Sequence, residues 1–167
     1  MTAVVLGLGN PLRGDDGIGP AVAEAVRLAG VPGVRVVRCV ADPAELVDAW
    51  ADADPAVLVD AVRSRSHDPG EVLFFTGGSG WPGGSGRGTH ALGVDDAIRL
   101  GRALGRSPRR LVAVGVAGAA FEPGAGMSPP VAAALPAAVE AVLAALGAPE
   151  GLWSSQVGQK ARLPRRY

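Results

Sequence analysis

The chain has 167 residues, enough for one compact domain with a sizeable core and too few for two large ones. Lys plus Arg and Asp plus Glu number 16 each, so the formal net charge is zero, which argues against a protein that binds by neutralising many phosphates. Aromatic residues make up only 4%, so the core has to come from Val, Leu, Ile and Ala, and the single cysteine, Cys39, permits neither an intrachain disulfide nor a thiolate metal cluster.

The opening MTAVVLGLGNPLRGDD lacks the basic start, long apolar stretch and cleavage site of a signal peptide. No stretch approaches the ~18 apolar residues of a membrane span. The cytoplasm is the expected location, in keeping with the lone cysteine.

In chain order, residues 3–8 read as a first strand, followed by a glycine-rich turn and a helix over 20–29. A second strand is expected over 34–40, a short helix over 43–50, and a third strand over 56–60 (AVLVD). A fourth strand is read over 71–75. The Gly- and Ser-rich stretch 76–88 reads as a mobile loop. A helix over 94–104, a last strand over 110–116 and a long helix over 130–146 complete a single α/β domain, 1–147. Residues 148–167 read as a poorly ordered, basic-ended tail. Strands alternating with alanine-rich helices predict an α/β three-layer sandwich: a mostly parallel, twisted sheet of about five strands, with helices on both faces. In such a sheet ligands sit beyond the carboxyl ends of the strands. The turn after Leu8, the residue Asp60 and the approach to His90 all fall there.

The turn Gly7-Leu8-Gly9-Asn10-Pro11-Leu12-Arg13-Gly14-Asp15-Asp16-Gly17-Ile18-Gly19 invites three readings. As a dinucleotide fingerprint it fails, because Leu12 stands where the third glycine belongs. Pro11 also removes a phosphate-binding N–H, and two acids follow. Its GLGNP resembles the opening of bacterial peptidyl-tRNA hydrolase, but Arg13-Gly14-Asp15-Asp16 replaces that family's Thr-Arg-His-Asn stretch with its catalytic histidine. Thirdly, the whole segment resembles the signature of the hydrogenase maturation proteases, roughly G-x-G-N-x-L-x-x-D-(D/E)-x-x-G. Gly7, Gly9, Asn10, Leu12, Asp15, Asp16 and Gly19 all match it.

That resemblance implies a phosphorylase/hydrolase-like fold and gives Asp16 the role of a metal ligand. Read from the residues alone, either Asp15 or Asp16 could instead cap the following helix. An acid at the end of a buried strand, as Asp60 is, must be paired, hydrogen-bonded or metal-bound. The family carries its second carboxylate ligand at the end of this same strand. Of the two histidines, His90 lies in His90-Ala91-Leu92-Gly93, which is similar to the family's H-x-L-G setting, just before a helix. His67, in Ser66-His67-Asp68-Pro69-Gly70, reads as a solvated loop residue. Two carboxylates and an imidazole suit a divalent transition metal such as nickel and leave positions open. The resemblance thus assigns Asp16, Asp60 and His90 as both metal-binding and catalytic.

The likeness continues through Leu111–Glu122 into Pro123-Gly124-Ala125-Gly126-Met127-Ser128-Pro129, where Ser128 reads as a helix N-cap. It departs at Arg38-Cys39-Val40-Ala41-Asp42-Pro43, where many members carry a Gly-Gly-Thr-like loop that helps recognise the target; which hydrogenase is the target is thereby left open. The family implies an endopeptidase that removes the C-terminal extension of a nickel-loaded hydrogenase large-subunit precursor, with the nickel supplied by the substrate. Cys39 has no evident histidine partner and no G-x-S-x-G elbow is present, so water rather than a side-chain nucleophile is expected to attack. The rival from another class is a non-proteolytic nickel- or subunit-binding maturation factor, which would leave the precursor full length.

Overall fold

The structure is a computed structural model that describes residues 2–39, 42–76 and 89–147, with the backbone alone for 89–92. β1 (Thr2–Leu8) leads through a single 3-10 turn (Gly14–Gly17) into α1 (Ile18–Ala29). β2 (Val34–Cys39), α2 (Pro43–Trp50), β3 (Ala53–Arg63) and β4 (Val72–Thr76) follow. α3 (Thr89–Ala103), β5 (Leu111–Gly118), α4 (Pro129–Ala133) and α5 (Leu135–Gly147) complete the chain. The strands form one sheet in the order β2-β1-β3-β5-β4. All neighbours are parallel except β4, which runs antiparallel on β5 at the edge.

Strand alternation divides the core into two layers. Val5, Val57, Val59, Val112, Val114 and Val116 pack with Ile18, Val22 and Val26 of α1 and Ala138, Ala141 and Val142 of α5. On the other face, Val4, Leu6, Leu8, Ala56, Leu58 and Ala113 meet Leu46, Val47 and Trp50 of α2 and Val94 and Ala97 of α3. The expected three-layer, mostly parallel α/β architecture is the one observed. None of the helices among the described residues is long and apolar enough to cross a membrane.

Several boundaries differ from the sequence reading, each for a physical reason. β3 does not stop at Asp60 but runs on to Arg63, because β5 keeps pairing with it (Asp60 with Gly115, Arg63 with Gly118) after β1 has dropped out at the Gly7–Val59 pair. The long final helix is broken after Ala133, since Pro136 has no N–H to return to Ala132 and the chain restarts as α5. α3 begins at Thr89, so His90 lies in its first turn rather than ahead of it. Val40, the stretch 77–88 expected to be a loop and the tail 148–167 lie outside the described residues.

The orientation of α3 follows from its last turns. Gly101 lies beside the Trp50 indole, and just past the helix the Arg109 N–H donates to the Ala53 carbonyl at 3.2 Å, at the amino end of β3. The 15 residues of α3 rise about 22 Å, and the strand from Ala53 to Asp60 rises about 23 Å. The first turn of α3 therefore reaches the same end of the sheet as Asp60.

Trp50, 1% exposed, is the largest fully buried side chain among the described residues and joins α2 to α3. Trp50→Ala is expected to lower the unfolding free energy by about 3–5 kcal/mol, read as a lower midpoint in urea. A loss below about 1 kcal/mol would show that the α2/α3 layer does not depend on it.

Candidate functional site

β1 is paired on one side with β2 and on the other with β3, so the chain leaves the sheet in opposite directions at the β1/β3 boundary. Such a divergence leaves a crevice at the carboxyl ends of the strands. The three acids Asp15, Asp16 and Asp60 are the buried charged side chains among the described residues, at 0%, 5% and 2% exposure. All three belong to the segments that bound this crevice.

Asp16 is carried by the 3-10 turn after β1, and its placement depends on close backbone approaches. At Gly19 a Cβ would fall on the Leu8 carbonyl oxygen and lie 2.7 Å from that of Val59. The first turn of α1 is thereby seated directly on the carbonyls that precede Gly9 and Asp60. Gly9 has φ +120°, and a side chain there would run into the Asp16 carbonyl. The Asn10 N–H donates to Asp16 Oδ2 at 2.7 Å, while Asn10 Oδ1 accepts from the Leu12 N–H at 2.9 Å. Leu12 itself is 73% exposed, so core packing does not explain this position of the motif.

Asp60 is the first residue of β3 beyond its pairing with β1. Alternation along the strand places it on the face of Ala56 and Leu58, the one covered by α2 and α3. Its Oδ1 accepts the Ala61 N–H at 2.8 Å. The backbone of His90 stands in the first turn of α3; its side chain lies outside the described residues. His67 sits in the turn between β3 and β4, half-buried, with Nδ1 2.7 Å from the Ser64 hydroxyl. Among the described residues no three His, Cys, Asp or Glu side chains group closely enough to hold an ion, so His67 does not complete a set with Asp16 and Asp60.

Asp15 is not a helix cap, since no side chain caps either the 3-10 turn or α1. Its Oδ2 accepts the N–H groups of Ala119 and Ala120 at 2.8 and 2.9 Å, and its Oδ1 accepts that of Ser128 at 2.7 Å. The Ser128 hydroxyl also donates to Oδ2, at 3.0 Å. Ser128 thus occupies the N-cap position of α4 as expected, but its hydroxyl serves Asp15 rather than the helix. Burial pushes the Asp15 carboxyl up, yet the hydrogen bonds from Ala120, Ala119 and Ser128 together outweigh it and hold the group below the usual carboxylate range. The sequence offered one sign of this contact, the Gly118 to Ser128 stretch, but not its partner more than a hundred residues earlier.

Residues 18–145 match the hydrogenase maturation protease family. The chain belongs to this family. Hydrogenase 2 maturation protease from Escherichia coli K12 is 31% identical over 157 residues, covering 87% of this chain and 91% of that protein. The hydrogenase maturating endopeptidase HybD from E. coli has a TM-score of 0.76 at 30% identity, covering 88% of this chain and 93% of that one. A NiFe hydrogenase maturation protease HybD from Thermococcus kodakarensis has a TM-score of 0.71 at 27% identity, covering 86% and 97%. Family membership makes the protein a peptidase of hydrogenase maturation and bears out the reading from the glycine-rich turn. The family match begins at Ile18, so the motif positions from Gly7 to Asp16 are additional to it.

Gly19→Ala separates the two forces at this site. Helix propensity alone would make the change favourable by about 1 kcal/mol, whereas collision with two carbonyl oxygens is expected to cost about 3 kcal/mol. The variant should unfold at a lower temperature than the parent; a raised melting point would refute the close seating of α1 on β1 and β3.

Proposed function

We propose that this peptidase removes the C-terminal extension of a nickel-loaded hydrogenase large-subunit precursor. Asp16, Asp60 and His90 grip the nickel that the substrate brings. The observation that carries the proposal is the pair of buried acids, Asp16 and Asp60, held where β1 and β3 diverge, with the first turn of α3 at the same rim. Carboxylates held at the end of a parallel sheet are hard oxygen donors, suited to a cation that approaches there. Oxygen donors and an imidazole suit nickel, and three protein ligands leave positions for groups of the precursor.

In this reading the metal identifies a precursor that has received its nickel, and the acids of the crevice align the scissile segment beside it. The three side chains are the catalytic residues because they touch the ion that the substrate carries. Water adds to the scissile carbonyl, the C–N bond breaks, and the released amine takes a proton, which conserves all atoms of the peptide and one water. No resident cofactor is required. The reaction is placed in the cytoplasm, where the precursor would be met, a reducing setting in keeping with the lone cysteine, Cys39.

The test is to incubate the purified protein with nickel-loaded precursor and follow the mass of the large subunit. Asp16→Ala, Asp60→Ala and His90→Ala should each slow the mass loss about 100-fold or more while remaining folded by circular dichroism. Nickel-free precursor should stay full length. Equal processing of nickel-free and nickel-loaded precursor would remove the ion from the recognition step, and wild-type rates in the three variants would refute the site.

A further inference from the structure

We propose that Asp15 is a positioning residue: by locking the 3-10 turn to the segment 119–128, it sets the place of Asp16 relative to Asp60. The inference rests on the reading of Asp16 and Asp60 as ligands and adds a residue to it.

The first observation is the direction of the Asp15 bonds. All four donors to its carboxylate come from Ala119, Ala120 and Ser128, none from its own turn. The main chain doubles the attachment. The Asp15 N–H donates to the Ala120 carbonyl at 2.7 Å, the Gly14 N–H to that of Ala125 at 2.9 Å, and the Gly124 N–H to that of Leu12 at 2.8 Å. Gly118 leaves the room, since a Cβ there would lie 3.0 Å from the Asp15 Cβ.

The second observation is the geometry of the turn. In a 3-10 turn successive side chains diverge by about 120° around the axis. Two neighbouring acids therefore leave the turn on different sides, and directing Asp15 into the 119–128 segment fixes the direction in which Asp16 leaves it. Thirdly, the same segment is tied to β3. The Arg63 guanidinium, three residues beyond Asp60, lies over the Phe121 ring at 4.1 Å from its centroid. The 119–128 segment thus holds the carriers of both candidate carboxylate ligands, the turn through Asp15 and the strand through Phe121.

Asp15→Asn is the informative substitution because it keeps the shape. Both carboxylate oxygens accept backbone N–H groups, Oδ1 from Ser128 and Oδ2 from Ala119 and Ala120. Whichever way an amide is turned, its NH2 group faces a donor. Ser128→Ala removes one bond of the four and is the milder variant. Val142→Ala, on the buried face of α5, is the control for lost stability without a change at the turn.

Nickel(II) ions alone are titrated into each folded protein by calorimetry, and cleavage of nickel-loaded precursor is followed in parallel. Asp15→Asn is expected to weaken nickel binding at least tenfold and to slow cleavage by a similar factor. Ser128→Ala should shift both about threefold in the same direction, and it decides the matter if Asp15→Asn does not fold. Val142→Ala, destabilised but intact at the turn, should bind nickel as the parent does. Parental nickel affinity and cleavage in folded Asp15→Asn, or an equal loss of affinity in Val142→Ala, would overturn the positioning role. If the parent binds no nickel, or Asp16→Ala binds it as tightly as the parent, the ligand assignment itself falls, and the role of Asp15 with it.

Discussion

The structure depends on holding carboxylates out of water at one end of a parallel sheet. Of 16 acidic residues in the chain, the three that are buried among the described residues all border the place where β1 and β3 part. Each such burial opposes folding unless hydrogen bonds, an opposite charge or an ion compensates it. Asp15 is compensated within the protein by four donors from the far side of the crevice. Asp16 and Asp60 each accept a nearby backbone N–H and sit where a ligand would approach an open α/β sheet. Two adjacent acids on one turn thus have separate tasks, one bound up in the scaffold and one at the crevice.

Three glycine and asparagine positions of the signature around that turn have a direct physical role. Gly19 lets the first turn of α1 rest on the Leu8 and Val59 carbonyls, and Gly9 takes a backbone conformation that side chains disfavour, directly against Asp16. Asn10 closes the turn with its side chain and gives its own N–H to Asp16. None of these roles involves binding a phosphate, which explains why a sequence rich in glycine after the first strand is not a dinucleotide site.

Much of this was legible in the sequence because it is local. The β-branched runs gave the strands, the alanine-rich stretches gave the helices, and the acid after Val59 marked the rim. What escaped notice depends on distant partners. The extension of β3 past Asp60 exists only because β5 continues beside it after β1 has left, and that pairing cannot be read from AVLVDAVR. The antiparallel edge position of β4 is likewise a matter of its partner. Asp15 reads as a structural residue that could cap the following helix; its role is structural, but its donors lie more than a hundred residues away. The break at Pro136 was the local exception: a proline inside a helical pattern signals it, and the apolar periodicity on both sides concealed it.

The measurement that bears most directly on the account is a crystal structure of the protein with nickel(II), the ion located by anomalous scattering at the nickel absorption edge. The account predicts one ion in the crevice beyond β1 and β3. An oxygen of Asp16, an oxygen of Asp60 and a ring nitrogen of His90 should each lie about 2.0–2.2 Å from it. An ion found at other residues, or one that Asp16 and Asp60 do not share, would contradict it.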